Sequence, residues 1–441
     1  MFVFSPSSQL ALRTANQDLS FTALERVIRE IEFDFKALGT ETVLAVPVSN
    51  SLQSLAVVLR ALQEKIPVAL FDPSLSNSEK TKKLQLLRRS FDWETQVLSS
   101  TNARLNLHSL TRLILLTSGS SGKPKAVQLS NENISANRNA VIESLNFNTV
   151  TEQHLFLPLS YSFGFLGQLL PALHLQIPTN LYLDFADFFR SNSWQSCRGM
   201  ISGVPAHFET LVRAMKTPNP NVTHVVSAGA RLSLPLREKM RELFPRATLF
   251  NNYGQTEASP RILSFSSQDP QFLTDAVGRP IGDWKARLDT EGRLEVSGSQ
   301  VMLGYTDPQL VSVLQIEGEQ IWLKTGDLAL IRDDGLVEIK GRLDDLVKIG
   351  GERVSLLELE ADFKRVLQLD QLAVLTQEDP IRGLVLILVL ENSDRTDGEV
   401  RQVLAGQWGG ARLPRSVVRL ESLPRLVNGK LDRMSLRKLF S

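Results

Sequence analysis

The stretch Leu113–Ser130, LILLTSGSSGKPKAVQLS, decides the reading of the whole chain. Its apolar start, Leu113–Leu116, has the character of a buried strand. It feeds a loop of small and hydroxylated residues, Thr117, Ser118, Gly119, Ser120, Ser121 and Gly122, and then Lys123, Pro124 and Lys125. Glycines at 119 and 122 tolerate backbone angles and close approaches that a β-carbon forbids, so N–H groups and hydroxyls can gather round an oxyanion. Lys123 and Lys125 add positive charge. These residues describe a phosphate cradle. A nucleotide-binding P-loop needs four residues between its glycine and its Gly-Lys, with Ser or Thr after the lysine. Here two residues separate the glycines, and Pro124, which has no N–H, follows the lysine. A Walker-type site is therefore disfavoured, and the dinucleotide fingerprint is absent. A Ser/Gly-rich surface loop has the same composition, so the run acquires meaning from its company.

Upstream, the apolar spacing of Leu19–Gly39 predicts an amphipathic helix, Thr42–Val48 a strand, Ser51–Lys65 a helix and Ile66–Phe71 a strand. Similar units continue through Trp93–Leu98, Glu132–Leu145 and His154–Pro158. This alternation means βαβ units and an α/β fold of doubly wound layers. At 441 residues more than one domain is expected. A net charge of +1 gives no field for nucleic acid or an acidic membrane. The single cysteine, Cys197, suits a reducing cytoplasm and reads as a small buried hydrophobe. Five scattered histidines offer no zinc site, and no apolar run is long enough to span a bilayer.

Downstream, His154–Leu173 combines an apolar strand, an aromatic turn with Tyr161 and Phe163, and an apolar helix. Pro205 opens a further helix in which His207 reads as packed or capping. Val225-Val226 leads into Ser227, Ala228, Gly229 and Ala230, small residues on which a planar ring can lie. In Leu249–Ser259, LFNNYGQTEAS, a strand ends at Asn251 and Gly254 breaks it. Tyr253 can stack on or edge a purine, Thr256 can donate to a phosphate oxygen, and Glu257 can hold Mg²⁺, which needs only one or two carboxylates beside substrate phosphates. Short strands between Gly278 and Tyr305, among them Arg293–Ser297 and Val301-Met302, suggest a small β-barrel-like layer. Gln320–Leu330 places Asp327 in a Thr-Gly-Asp turn, where a carboxylate can accept two hydroxyl hydrogen bonds, and Arg342 follows. Gly341–Glu360 is rich in charge and glycine and marks a boundary. The remainder reads as a compact α+β module ending in Leu423–Arg433, LPRLVNGKLDR, where Asn428-Gly429 presents Lys430 at a turn.

Taken in order, these stretches resemble the motifs of the adenylate-forming, AMP-binding enzymes, a superfamily of acyl-CoA synthetases, adenylation domains and luciferases. The first loop is similar to T-S-G-[ST]-[ST]-G-x-P-K-G, departing at Ala126 where glycine is usual, and at Asn131 where histidine often sits. The resemblance implies a large N-terminal domain, 1–343, with a β-barrel-like part, and a small mobile C-terminal domain, 344–441. It implies ATP and Mg²⁺ as cofactors, with Thr117–Lys125 round the phosphates, Ala228, Gly229, Ala230, Asn252, Tyr253 and Gly254 round the adenine, and Asp327 with Arg342 on the ribose. Tyr161, Phe163 and Gly229 would wall the acid pocket. The loop Ser160–Phe165 has no carboxylate to pair an ammonium, so an acyl or aryl acid is expected rather than an α-amino acid. Thr256, Glu257 and Lys430 would be catalytic, Asp344 the hinge, and Gly351 with Arg353 the thiol side. The implied reaction is activation of a carboxylic acid to an acyl-adenylate and transfer to a thiol, CoA first and a carrier-protein phosphopantetheine second. A catalytically inert nucleotide-binding partner module is the reading of another class; it would lose Lys430, Glu257 or Asp327, and all three are kept.

Overall fold

The computed structural model describes residues 4–39, 41–101, 105–118, 124–342, 346–349, 352–379, 383–426 and 431–440. The chain forms two compact units. The first comprises Met1–Arg287, Glu295–Thr325 and Arg332–Val337, and the second Leu288–Leu294, Gly326–Ile331 and Glu338–Ser441.

In the first unit, among the described residues, a nine-stranded sheet has at its centre the parallel strands Gln153–Leu155, Gly199–Gly203, Val222–Ala228 and Thr248–Gly254. Arg261–Ser266 and Arg279–Pro280 close one edge antiparallel. Thr179–Leu181, Leu10–Arg13 and Asp18–Ser20 extend the other. Successive residues of a central strand feed different cores, because side chains alternate across a strand. Val225 and Leu249 pack with Ile201, Phe208 and Met240, whereas Val226 and Phe250 pack with Val141, Phe147 and Ala172. Both faces are thus covered, as a parallel sheet requires.

The second sheet of this unit has Val43–Pro47, Val68–Phe71 and Thr111–Ser118 in parallel at its centre. Val43–Val46 and Val68–Phe71 are buried on both faces, in accord with their unbroken apolar runs. Pro124–Ser130 pairs antiparallel with Thr111–Ser118, and Gly304–Tyr305 adds to its outer side. Helix Asn131–Ser144 starts at a capping box between Ser130 and Asn133. The same Asn133 amide donates to the carbonyls of Ser299 and Val301, both at 2.8 Å, fixing the segment that delivers Tyr305.

Five expectations change. The helix expected over Leu19–Gly39 stops at Arg29, because Phe33 and Phe35 turn aside to pack on Phe91 and Trp93. Trp93–Leu98 is mostly the turn of a hairpin, Arg89–Asp92 with Val97–Ser100, held by the Asp92 carboxylate accepting from the Glu94 N–H. Gly254 does not break its strand but is its last residue. Val301-Met302 forms no strand; it serves as backbone partner to Asn133 and Glu257. Asp327 sits inside a continuous strand, Gln320–Ile331, in which Gly326 adopts φ +76°. Glycine absorbs the left-handed angle there, so the strand bends instead of ending.

In the second unit, helix Leu356–Leu367 and helix Asp397–Ala405 accompany a sheet of Leu372–Asp379, Gly383–Glu391 and Ser416–Leu420. Phe363, Leu367, Leu388, Val400 and Leu404 form its core. A hairpin, Leu346–Ile349 with Glu352–Ser355, precedes the first helix. Among the described residues no helix is long and apolar enough to cross a membrane.

Candidate active site

The first unit assembles its site from residues far apart in sequence. The hairpin pairs Thr117 with Lys125 and Ser118 with Pro124. Of the residues expected round the phosphates, Gly119, Ser120, Ser121, Gly122 and Lys123 follow Ser118 in sequence. These five lie outside the described residues, as do Asp344, Gly351 and Lys430. Ala126, where the motif carries glycine, is buried among Ile114, Leu116 and Phe71 and faces the core.

Lys125 leaves the hairpin with its Nζ 5.2 Å from the centre of the Tyr305 ring. The Tyr305 hydroxyl donates to Glu257 Oε1 at 2.7 Å. Cation, ring and carboxylate therefore form one chain. Glu257 is further fixed by its own carbonyl, which accepts from the Met302 N–H at 2.9 Å. Beside it, Thr256 opens a short 3₁₀ turn, and its hydroxyl lies 3.4 Å from that of Ser162. The structure thus brings together Lys125, Thr256 and Glu257, and adds Tyr305 and Ser162, which sequence reading passed over. Tyr305 left no local signal, since its partner lies 48 positions away.

Tyr161 half-buries its ring and donates to Asp72 Oδ2 at 3.2 Å. Burial, and after it the Asp72 carboxylate, push the Tyr161 phenol above its ordinary range, so it stays a neutral donor. Asp72 also accepts from the Ser74 N–H and hydroxyl. Asp72 follows strand Val68–Phe71 and is engaged by Tyr161 and Ser74. Phe163 lies under the guanidinium of Arg261, 5.5 Å from its ring centre. Strand Val222–Ala228 delivers Gly229 and Ala230 into an exposed turn, and the neighbouring strand pairs Asn252 with Ala228. Tyr253 follows, half-buried. Burial raises the Cys197 thiol to about 12, and His207 Nδ1 accepts from the Val204 N–H as a helix cap. Neither has the character of a nucleophile or base. Among the described residues no group of three or more His, Cys, Asp or Glu could hold a metal by itself.

In the second unit Arg342 Nε lies 3.5 Å from Asp327 Oδ1, with the Asp327 side chain largely buried. Arg353 belongs to the hairpin strand Glu352–Ser355.

The AMP-binding enzyme family profile matches residues 14–306. The chain belongs to the AMP-binding enzyme family. Its members are adenylate-forming enzymes. Over 354 residues it is 29% identical to a plipastatin synthase of Bacillus subtilis, covering 75% of this chain and 14% of that one. It is 26% identical over 367 residues to the D-alanine–D-alanyl carrier protein ligase of Lacticaseibacillus casei, covering 73% of this chain and 70% of that one. Among solved structures it is similar to o-succinylbenzoate CoA synthetase from Bacillus subtilis in complex with its acyl-adenylate, with a TM-score of 0.81, 20% identity and coverage of 98% and 95%. ATP-bound MatB from Rhodopseudomonas palustris gives a TM-score of 0.83 at 20% identity, with coverage of 99% and 96%. These two share the fold.

Proposed function

We propose that this AMP-binding enzyme activates an acyl or aryl carboxylic acid to its acyl-adenylate and transfers the acyl group to the thiol of CoA. The observation that carries the reading is the chain Lys125–Tyr305–Glu257 beside the Thr256 and Ser162 hydroxyls. In-line attack of a carboxylate on the α-phosphate of ATP joins two anions, so the reaction needs positioned donors and positive charge rather than a base. Tyr305 holds Oε1 of Glu257, and among the described residues Oε2 accepts no hydrogen bond. A hard carboxylate oxygen of this kind suits Mg²⁺, which supplies charge neutralisation at the phosphates when bound. Thr256 and Lys430 would donate to the α-phosphate, Lys125 and the loop 117–123 to the outer phosphates, and Asp327 with Arg342 would hold the ribose. Tyr161 and Phe163 would line the acid pocket. In the second step the C-terminal segment would turn about Asp344, and Gly351 and Arg353 would face the incoming thiol, which displaces AMP.

A carrier-protein phosphopantetheine is the second acceptor. It is favoured by similarity to a D-alanyl carrier protein ligase and a plipastatin synthase. Pyrophosphate release over a panel of fatty, aryl and amino acids, run with CoA or a holo carrier protein, tests the reading. Acid-dependent release with thioester formation is expected. ATP binding without acid-stimulated release would instead mark an inert partner module.

A further inference from the structure

Arg261 opens the strand Arg261–Ser266 and is only 2% exposed. Among the described residues no carboxylate pairs with it, and its Nη1 has no hydrogen-bond partner. Its surroundings lower its affinity for the proton through burial alone. A buried guanidinium without a counter-ion is costly, and arginine does not escape by deprotonating. The other large buried arginine behaves differently. Arg237 spends its guanidinium on the carbonyls of Leu232, Phe272, Thr274 and Ala276.

The backbone holds Arg261 in place. The register slips between Tyr253 and Gly254, where Gly254 faces Arg261, and such a slip re-aims a side chain. The Arg261 carbonyl accepts from Trp284 Nε1 at 2.8 Å. The guanidinium lies over Phe163, and Nη2 comes within 3.3 Å of where a β-carbon on Gly167 would sit. Phe163 packs on the cluster that contains Phe250, and Asn252 shares that sheet face two residues on. Asn252 and Ser264 stand opposite each other in the ladder. Both atoms of the Asn252 amide and the Ser264 hydroxyl are buried without partners. Three groups able to donate therefore stand on nearby rungs of one strand pair, with Arg261 against Phe163 of the wall ascribed above to the acid pocket.

We infer that Arg261, with Ser264 and with Asn252 serving the acid and not the adenine expected of it, receives a second anionic group at the far end of the substrate, so that the acid activated is a dicarboxylic or carboxyaryl acid. This rests on the adenylation reading. A carboxylate can take two parallel N–H bonds from a guanidinium, which compensates the buried charge. Ser162, beside Thr256, and Gly167, beside Arg261, are five residues apart on one helical segment, roughly 7 Å by helical rise. That separation suits a short chain or a single ring between the two carboxylates.

The test is pyrophosphate release from matched pairs of acids, each dicarboxylate beside its analogue ending in methyl, by the intact protein and by Arg261→Met and Arg261→Lys. The intact protein is expected to favour the dicarboxylate in kcat/KM by on the order of 10²–10⁴-fold, through the KM for acid and not for ATP. Arg261→Met should melt no lower, because it removes a buried charge, and should reverse the preference; Arg261→Lys should keep part of it. Turnover of the methyl-ended acids as fast as or faster than the dicarboxylates by the intact protein overturns the assignment of Arg261 alone. No release with any acid overturns the adenylation reading, and this inference with it.

Discussion

Tyr305 joins Lys125 to Glu257, and its hydroxyl has a testable weight. Tyr305→Phe keeps the ring under Lys125 but frees Glu257 to swing; a fall of about tenfold in kcat with little change in melting temperature is expected. Glu257→Gln removes the charge itself and should cost about 3–4 kcal/mol in the barrier, hundreds-fold in rate, together with a raised Mg²⁺ requirement. A charge-to-neutral change here that left the rate intact would remove Glu257 from the site. His154 gives a prediction in pH. Its proton affinity drops from 6.5 to about 4, first by burial, with Glu152 opposing and Arg13 and Arg198 contributing, while Nδ1 meets the Tyr182 hydroxyl at 3.0 Å. The folded state keeps the ring neutral and the unfolded chain binds the proton more readily. Stability is therefore complete above pH 6.5 and is lost as the pH falls from there through 4, by about 3 kcal/mol. Urea midpoints at pH 7 and 4.5 should show that loss, and His154→Gln should flatten it. At this scale sequence reading found Thr256 and Glu257 because both sit in one short motif. It missed Tyr305, Ser162 and Arg261 because their partners are brought in by other strands. Arg261 did leave a trace, a charged residue at the head of the apolar run R-I-L-S-F.

At the scale of elements, the apolar runs Val43–Val46, Leu113–Leu116 and Val225-Val226 were legible as strands because burial on both faces leaves no alternation to confuse them. The pairing of Thr111–Ser118 with Pro124–Ser130 was not legible from periodicity, although its short connection admits only an antiparallel return. Aromatic packing overrode the helical pattern after Arg29, and a single glycine bent a strand at Gly326 where a turn was expected. Gly254 shows how tightly two strands can constrain one position. A β-carbon there would lie 1.8 Å from the Pro260 carbonyl oxygen, backbone that cannot step aside. Gly254→Ala is expected to cost about 3 kcal/mol in denaturant unfolding and to displace the Thr256 turn, abolishing pyrophosphate release. An alanine variant with the original midpoint and rate would show that the strand pair yields there.

For the whole molecule, the division into two units is only partly linear in the chain. The charge and glycine of Gly341–Glu360 suggest a boundary there, whereas the second unit takes in Leu288–Leu294 and Gly326–Ile331 and runs on from Glu338. Such short returns carry no compositional mark. If Lys430 serves only the first chemical step, Lys430→Ala should abolish acid-dependent pyrophosphate exchange yet spare thiolysis of supplied acyl-AMP. Equal loss of both would remove the division of labour between the two steps. The most direct test of the account follows the oxygen atoms. An acid labelled with ¹⁸O in its carboxylate is turned over with ATP and the acceptor thiol, and the products are weighed by mass spectrometry. Attack of the carboxylate on the α-phosphate, followed by displacement by the thiol, predicts one labelled oxygen in AMP and none in pyrophosphate. Label in inorganic phosphate, with ADP as the nucleotide product, would contradict it.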